Sequence, residues 1–475
     1  MSVHRALRIT TLASAINFVL AFSSAILVAR LLTPSEIGVY SIAVSLIGFA
    51  QVLRDFGVGQ YIVQLKTVNR DDLRACMTVM MLSAWSVALI LLALAPLGAS
   101  FYRQPNIADV FRVLALSVAV LPLGSHILSM MKRDMQFDRV ASVQIVSGLL
   151  STGTTLFLAW RGFGTLSMAW GSVVGNVANV VMLSVLCPSL ALLLPTRHGL
   201  RRVLGFGSAV SLGGIVQQVA VGGPDMVLGR TLSAEAVAQY SRAASPLSMI
   251  SGKVDEILQQ VFGPVFARGL REKQAAKDML TRTIVVHTGL QWPLLVILAL
   301  TGKSLIHLLF GPQWDEAGRL SPWITLWAAV VAPIAYASSA LVAAGHPGAA
   351  LRARFVSAIA LMGVLCLSFW FGLTEVVWGL LIFRIGQFWA WQREMREQLG
   401  FDNHAMWQAC VPSLRFTLYA MSPALIVQVG LAALWPSMPD LLQILSVGGV
   451  GAAGVLTALL CGSHPLRNEL LQLIR

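Results

Sequence analysis

Arg242, Pro246, Met249, Lys253, Glu256 and Gln260 follow one another at intervals of four and three, the spacing that puts side chains on one face of an α-helix. The segment 236–258, which holds all of them but Gln260, has the length and apolar character of a membrane crossing. A charge at membrane depth costs about 2.5–3.5 kcal/mol on insertion scales, so such a stripe faces a bundle interior, a partner or a watery cavity. Two chemistries fit. Arg242 and Lys253 can contact a diphosphate, the arginine through a planar fork that holds two oxygens at once. Alternatively, Lys253 and Glu256, three residues apart, form a structural ion pair near the cytoplasmic mouth.

Other residues suit the same environment. Arg384 shares a helical face with Gln387 and Trp391, as a cavity-lining cation or as a local cation–aromatic pair. Asn17 and Gln217 carry amides that can bind hydroxyl groups or tie neighbouring helices together. The acids at or near membrane depth are Asp55, Asp225, Asp255, Glu256 and Glu375. A carboxylate that binds an ion in one state only can draw on about 2.3 kcal/mol per charge at 100 mV. Asp225 and Glu256 are the ion-coupling candidates, and no pattern selects sodium over protons. Cys76, Cys187, Cys366, Cys410 and Cys461 are scattered singly among apolar residues, without metal or disulfide spacing. No catalytic constellation, metal site or nucleic-acid motif stands out.

The elements that must position these groups are membrane helices. Of 475 residues, 56% are hydrophobic and 12% charged, about half the charge of an ordinary globular domain. The bilayer must therefore be the solvent for most of the chain, and helices satisfy their own backbone within it. Crossings are expected near 7–31, 37–54, 75–98, 110–131, 140–160, 165–187, 203–223, 236–258, 283–301, 319–343, 351–371, 374–392, 412–434 and 440–461. That makes about fourteen, the first retained rather than cleaved as a signal peptide. The net charge of +13 arises partly because cytoplasmic loops hold Lys and Arg, so the total alone does not imply an anionic partner. With the N terminus inside, Lys and Arg divide about 24 to 8 in favour of the cytoplasm, which places both termini there. The longest internal loops, around 188–202 and 259–282, are basic and too short for an enzymatic domain.

The chain also repeats itself. Val28-Ala-Arg30-Leu-Leu-Thr-Pro-Ser-Glu-Ile-Gly-Val-Tyr40-Ser41 returns two hundred residues later as Leu228-Gly-Arg230-Thr-Leu-Ser-Ala-Glu-Ala-Val-Ala-Gln-Tyr240-Ser241. The repeat divides the chain into a six-helix lobe at 1–200, a second at 201–400, and an extra helix pair with a cytoplasmic tail at 401–475. An even number of crossings per lobe gives both the same orientation, as in transporters built from parallel repeats, with substrate passing between them. Arg30 and Arg230 are expected to anchor the turn that follows each. The second crossing shows Ile42, Leu46, Phe49, Leu53 and Phe56 where the eighth carries its charges, so the lobes are not alike in function.

The run Ala29–Tyr40, then Asp55-Phe-Gly-Val-Gly-Gln-Tyr-Ile-Val63, Arg161-Gly-Phe-Gly-Thr165, Asp225-Met-Val-Leu-Gly-Arg230 and Leu309-Phe-Gly-Pro-Gln-Trp314, resembles the Wzx-like polysaccharide biosynthesis flippases of the multidrug/oligosaccharidyl-lipid/polysaccharide exporter superfamily. The resemblance covers the chain from its first crossing to about its twelfth. It implies an all-α, MATE-like protein of the bacterial inner membrane. Such a protein turns polyprenyl-diphosphate-linked oligosaccharide to the periplasmic leaflet by alternating access, with a cationic cavity for the diphosphate. It further implies coupling to a proton or sodium gradient, no bound cofactor, contact with membrane lipid, and a polysaccharide polymerase and chain-length regulator as partners. Multidrug cation export and peptidoglycan lipid-precursor flipping are the alternatives within the superfamily.

Overall fold

Each copy of the repeat folds as a helix, a tight turn and a second helix. Leu31 closes α1 (Val3–Leu31) and Pro34 opens α2 (Pro34–Asp55). A proline at the first helical position gives up only an N–H that would lack a helical partner anyway. Both the N–H and the hydroxyl of Thr33 donate to Glu36 Oε2, at 2.8 and 2.9 Å, and the Glu36 N–H donates back to the Thr33 hydroxyl at 3.3 Å. This reciprocal cap satisfies donors that the helix start leaves open.

The computed structural model describes the backbone of residues 3–55, 57–64, 69–191, 195–196, 200–271, 276–435, 437–462 and 464–467. All regular structure among the described residues is helical. The chain groups into two compact units, Met1–Ala238 and Gln239–Arg475. Unit 1 continues with α3 (Val58–Gln64), α4 (Arg70–Tyr102), α5 (Asn106–Val120), α6 (Pro122–Arg133), α7 (Phe137–Trp160), α8 (Thr165–Leu186), α9 (Pro188–Ala191), α10 (Leu200–Thr231) and the first turn of α11 (Ala234–Arg271). Unit 2 holds the rest of α11, then α12 (Ala276–Phe310), α13 (Asp315–Val331), α14 (Ala337–Ala343), α15 (Pro347–Cys366), α16 (Leu373–Leu399), α17 (Asn403–Leu434) and α18 (Asp440–Cys461). Short 3-10 turns, Pro312–Trp314 and Ala332–Ile334, flank α13.

Within unit 1, α7 packs on α8 and α1, α4 on α5, and α10 on α2 and α4. Gly171 and Gly175 of α8 lie against Thr155 and Ser151 of α7, the small-residue contact that lets membrane helices approach closely. Within unit 2, α12 packs on α13, and the C-terminal helices α17 and α18 pack on each other and on α12.

The second copy of the turn joins α10 to α11. Its Ser233 hydroxyl accepts from the Ala236 N–H at 3.1 Å, as Thr33 does from Glu36. Leu32 and Leu232 each donate their N–H to the carbonyl of the residue four back, both at 2.9 Å. The starts of α2 and α11 meet directly, with Gly38 against the Ala234 carbonyl. Arg230, expected to anchor the second turn, lies over the Phe101 ring, 5.1 Å from its centroid.

Ten helical segments among the described residues are long and apolar enough to cross a membrane, or eleven if α5 and α6, bent by 47° at Pro122, count as one. The chain is a multi-pass membrane protein. The expected crossings 203–223, 236–258 and 374–392 fall on α10, α11 and α16, which are helices outside those ten. Large apolar side chains such as Ile382, Trp370 and Leu434 point outward, as a lipid-facing surface requires.

Candidate functional site

In unit 2, Gln239 and Arg242 of α11 hold the connection between α12 and α13. Gly311 takes φ 102° there, a backbone conformation open to glycine, and so lets the chain reverse into the Pro312–Trp314 turn. Gln239 holds that turn at both ends of its amide. Its Nε2 donates to the Gln313 carbonyl at 3.0 Å, and its Oε1 accepts from the Ala317 N–H at 2.9 Å. Phe310 and Trp314 are buried beneath.

Arg242, three residues on, lies above both rings, its guanidinium carbon 5.4 Å from the Phe310 centroid and 5.6 Å from that of Trp314. The aromatic faces hold a cation without occupying its N–H groups. The Arg242 Nε is buried and has no hydrogen-bond partner among the described residues. The Leu309–Trp314 motif and the arginine of the charged stripe, read separately in the sequence, thus form one structure.

Lys253 and Glu256 lie further along α11, and their side chains fall outside the described residues. At 1.5 Å per residue, Arg242 and Lys253 stand about 16 Å apart along the helix axis, so they mark two levels of the stripe. Arg384 on α16 donates to Gln387 Oε1 at 2.7 Å and lies 5.5 Å from the Phe383 ring centroid. Trp391, expected on the same face, is instead part of the core with Met395 and Phe401.

Asp255 of α11 meets a residue that the sequence reading did not single out. Its Oδ1 is 2.7 Å from Nε2 of His287 on α12, and the other ring nitrogen is 3.0 Å from the Ala332 carbonyl. A histidine inside the apolar segment 283–301 was the signal available for it.

In unit 1, Ser45 of α2 donates to Asp225 Oδ2 on α10 at 2.8 Å. Gln218 Nε2 approaches the Ser45 carbonyl at 3.4 Å, whereas Gln217 is exposed. Asn17 is half-buried where α1 packs on α7, its side-chain oxygen close to Gly148. The residues proposed from sequence therefore fall in separate places: Asp225, Asn17 and Gln217 in unit 1, Arg242 and Arg384 in unit 2. Among the described residues no three His, Cys, Asp or Glu side chains gather as a metal site.

The profile of a family described as polysaccharide biosynthesis protein matches residues 27–319. The chain belongs to that family. The matched region of this polysaccharide biosynthesis protein runs from the first repeat through Arg242 to the Trp314 turn, and leaves Arg384 and the C-terminal pair outside. The chain is 22% identical over 377 residues to an uncharacterized membrane protein in the cps region of Klebsiella pneumoniae, covering 78% of each. It is 21% identical over 301 residues to the lipopolysaccharide biosynthesis protein WzxC of Escherichia coli, covering 61% of this chain and 59% of that one. To the succinoglycan biosynthesis transport protein ExoT of Rhizobium meliloti it is 23% identical over 324 residues, covering 67% and 64%.

Among solved structures, the fold is similar to the lipid II flippase MurJ in an inward closed conformation, with a TM-score of 0.76 at 12% identity over 94% of this chain and 97% of that one. A MATE-family multidrug resistance transporter gives 0.60 at 13% identity over 80% and 94%. The fold is that of MurJ and the MATE transporters.

Proposed function

We propose that this protein flips polyprenyl-diphosphate-linked oligosaccharide repeat units from the cytoplasmic to the periplasmic leaflet of a bacterial inner membrane, for the assembly of lipopolysaccharide, capsule or exopolysaccharide. It works as a transporter and not as an enzyme. The observation that carries this reading is the family match across residues 27–319, which includes Arg242, held over Trp314 with a buried Nε that has no hydrogen-bond partner among the described residues. The names of the relatives, lipopolysaccharide biosynthesis and succinoglycan transport, support a polysaccharide cargo.

In this reading the parallel repeat builds two six-helix lobes, 1–200 and 201–400, that alternate access, and 401–475 adds a helix pair. Ten apolar spans and the bent pair α5–α6 support eleven crossings; this reading adds α10, α11 and α16 as three more, making fourteen with both termini cytoplasmic. Arg242 and Lys253 receive the diphosphate at two levels of α11, and Arg384 adds a cation. Asn17 and Gln217 contact sugar hydroxyls, and Asp225 and Glu256 couple the cycle to a proton or sodium gradient. A polymerase and a chain-length regulator act on the delivered units. A cation over two aromatic rings favours an anionic cargo over the cations of a multidrug exporter.

Deleting the gene and extracting lipids tests the reading. The expected result is polyprenyl-linked oligosaccharide accumulating in the cytoplasmic leaflet while surface polysaccharide disappears. Unchanged amounts and sidedness of that lipid would contradict it.

A further inference from the structure

We infer that Asp255 and His287 form a proton-binding site in unit 2, one that ties three elements together only while the proton is bound. The inference rests on the transport reading for its role in the cycle, but the site itself follows from hydrogen-bond geometry. His287 Nδ1 lies 3.0 Å from the Ala332 carbonyl oxygen. A carbonyl only accepts, so Nδ1 carries a hydrogen. Nε2 lies 2.7 Å from Asp255 Oδ1, a separation characteristic of a charge-assisted hydrogen bond with a proton between the two atoms.

With Nδ1 already protonated, that proton is an additional one. It sits on the ring as an imidazolium facing a carboxylate, or on the acid facing a neutral ring. In both forms the pair holds one proton more than a neutral imidazole beside an aspartate.

Losing that proton to water has a structural consequence. A neutral ring has one N–H, so it can donate to Ala332 or to Asp255 but not to both. One contact then sets acceptor against acceptor and opens. Asp255 is on α11, His287 on α12, and Ala332 begins the 3-10 turn after α13. Proton release therefore breaks one of the two hydrogen bonds by which His287 ties α12 to α11 and to the turn after α13.

Access is one-sided. The His287 side chain is 1% exposed and that of Asp255 35%, so the carboxylate is the accessible end of the pair. Ser251, one turn before Asp255, and Gln291, one turn after His287, each have a buried side-chain oxygen with no hydrogen-bond partner among the described residues.

The titratable and charged groups around the pair come from several elements. Tyr336 stands edge-on to the His287 ring at 5.0 Å. His464 packs beside Gly289 of α12 and contacts Ser413 of α17 at 3.2 Å. Arg282 is the charged residue of α12 next to His287 in sequence, and Arg415 follows Ser413 on α17. Lys253 and Glu256 flank Asp255 on α11, with side chains outside the described residues.

Two measurements on the full-length protein test the site. In the first, ¹⁵N-histidine NMR of the detergent-solubilised protein locates the His287 hydrogens, with the signal assigned by its loss in His287→Gln. The site predicts a protonated Nδ1 and an Nε2 signal that moves in Asp255→Asn. A neutral ring bearing its hydrogen on Nε2, or an Nε2 signal indifferent to Asp255→Asn, would overturn the inference whether or not the protein transports.

In the second, proteoliposomes carry a fluorescent polyprenyl-diphosphate oligosaccharide under an imposed pH gradient. The gradient is expected to stimulate flipping by the wild type, while Asp255→Asn and His287→Gln still exchange lipid and lose the part of the stimulation that does not depend on Asp225 and Glu256. A wild type that flips and ignores the gradient, or variants that respond as it does, sinks the proton site and leaves the transport reading standing. A wild type that does not flip sinks the transport reading, and the NMR result then decides the site alone.

Discussion

Arg242 holds its guanidinium over the indole of Trp314, 5.6 Å from the ring centroid, on a turn that Gln239 clamps from the same helix. Such a contact is worth about 0.5–2 kcal/mol, and it fixes the cation while sparing its N–H groups.

Arg242→Ala is therefore expected to abolish surface polysaccharide with the protein present at wild-type level. Arg242→Lys keeps the charge, loses the fork and recovers part of the export. Gln239→Ala should behave differently. It leaves two backbone groups without partners, at about 1–3 kcal/mol each, and lowers the melting temperature in detergent. Immunoblots and polysaccharide staining of the three variants separate the roles. An Arg242→Ala protein that vanishes as a destabilised Gln239→Ala protein does would make Arg242 part of the scaffold.

Gly38 carries a prediction about the repeat. A Cβ added there would land on the Ala234 carbonyl, a backbone atom that cannot swing aside. Gly38→Ala should cost about 1–3 kcal/mol through overpacking and lower the melting temperature. Gly252, on α11 with open space around it, is the control: Gly252→Ala gains helix propensity of about 1 kcal/mol. Equal melting of the two variants would mean that the helix starts do not meet as described.

Asp402 gives a pH signature outside the membrane. Its carboxylate caps α17 by accepting the Ala405 N–H at 2.9 Å, with Lys277 Nζ 3.6 Å away. The Ala405 bond first, and then Lys277, hold this carboxyl below the usual carboxylate range. A depressed folded value adds stability that is complete above the unfolded pKa, about 3.9, and is lost as pH falls through the folded one. Asp402→Asn keeps a cap without the charge. The wild type should melt higher than this variant at pH 7, and the gap should begin to close below about pH 3.9. A gap that stays constant to lower pH would show the charge to be irrelevant.

Much of the fold was legible because it rests on local chemistry. Thr33-Pro34 and Ser233 are cap signals, and both produce the turn they announce. Apolar runs locate most of the helices by length and hydropathy, whereas α10, α11 and α16 lie outside the ten that are apolar enough to cross. The site was legible only in fragments. Arg242 stood out by its own stripe and Trp314 by its motif, but their contact joins segments far apart in sequence. The repeat aligned Asn17 with Gln217, while Gln218 is the residue at Ser45. One residue is about 100° on a helix, enough to exchange an exposed amide for a packed one. His287 went unremarked because a lone histidine in an apolar run acquires meaning only from what folds against it, here Asp255 and the Ala332 carbonyl.

Flipping by the purified protein bears most directly on the function. Liposomes containing it, with a fluorescent undecaprenyl-diphosphate oligosaccharide in both leaflets, are exposed to a membrane-impermeant quencher. Wild-type protein should bring the inner-leaflet label out to the quencher, and Arg242→Ala should leave it protected as in protein-free liposomes. Protection that persists with the wild-type protein would contradict the flippase account.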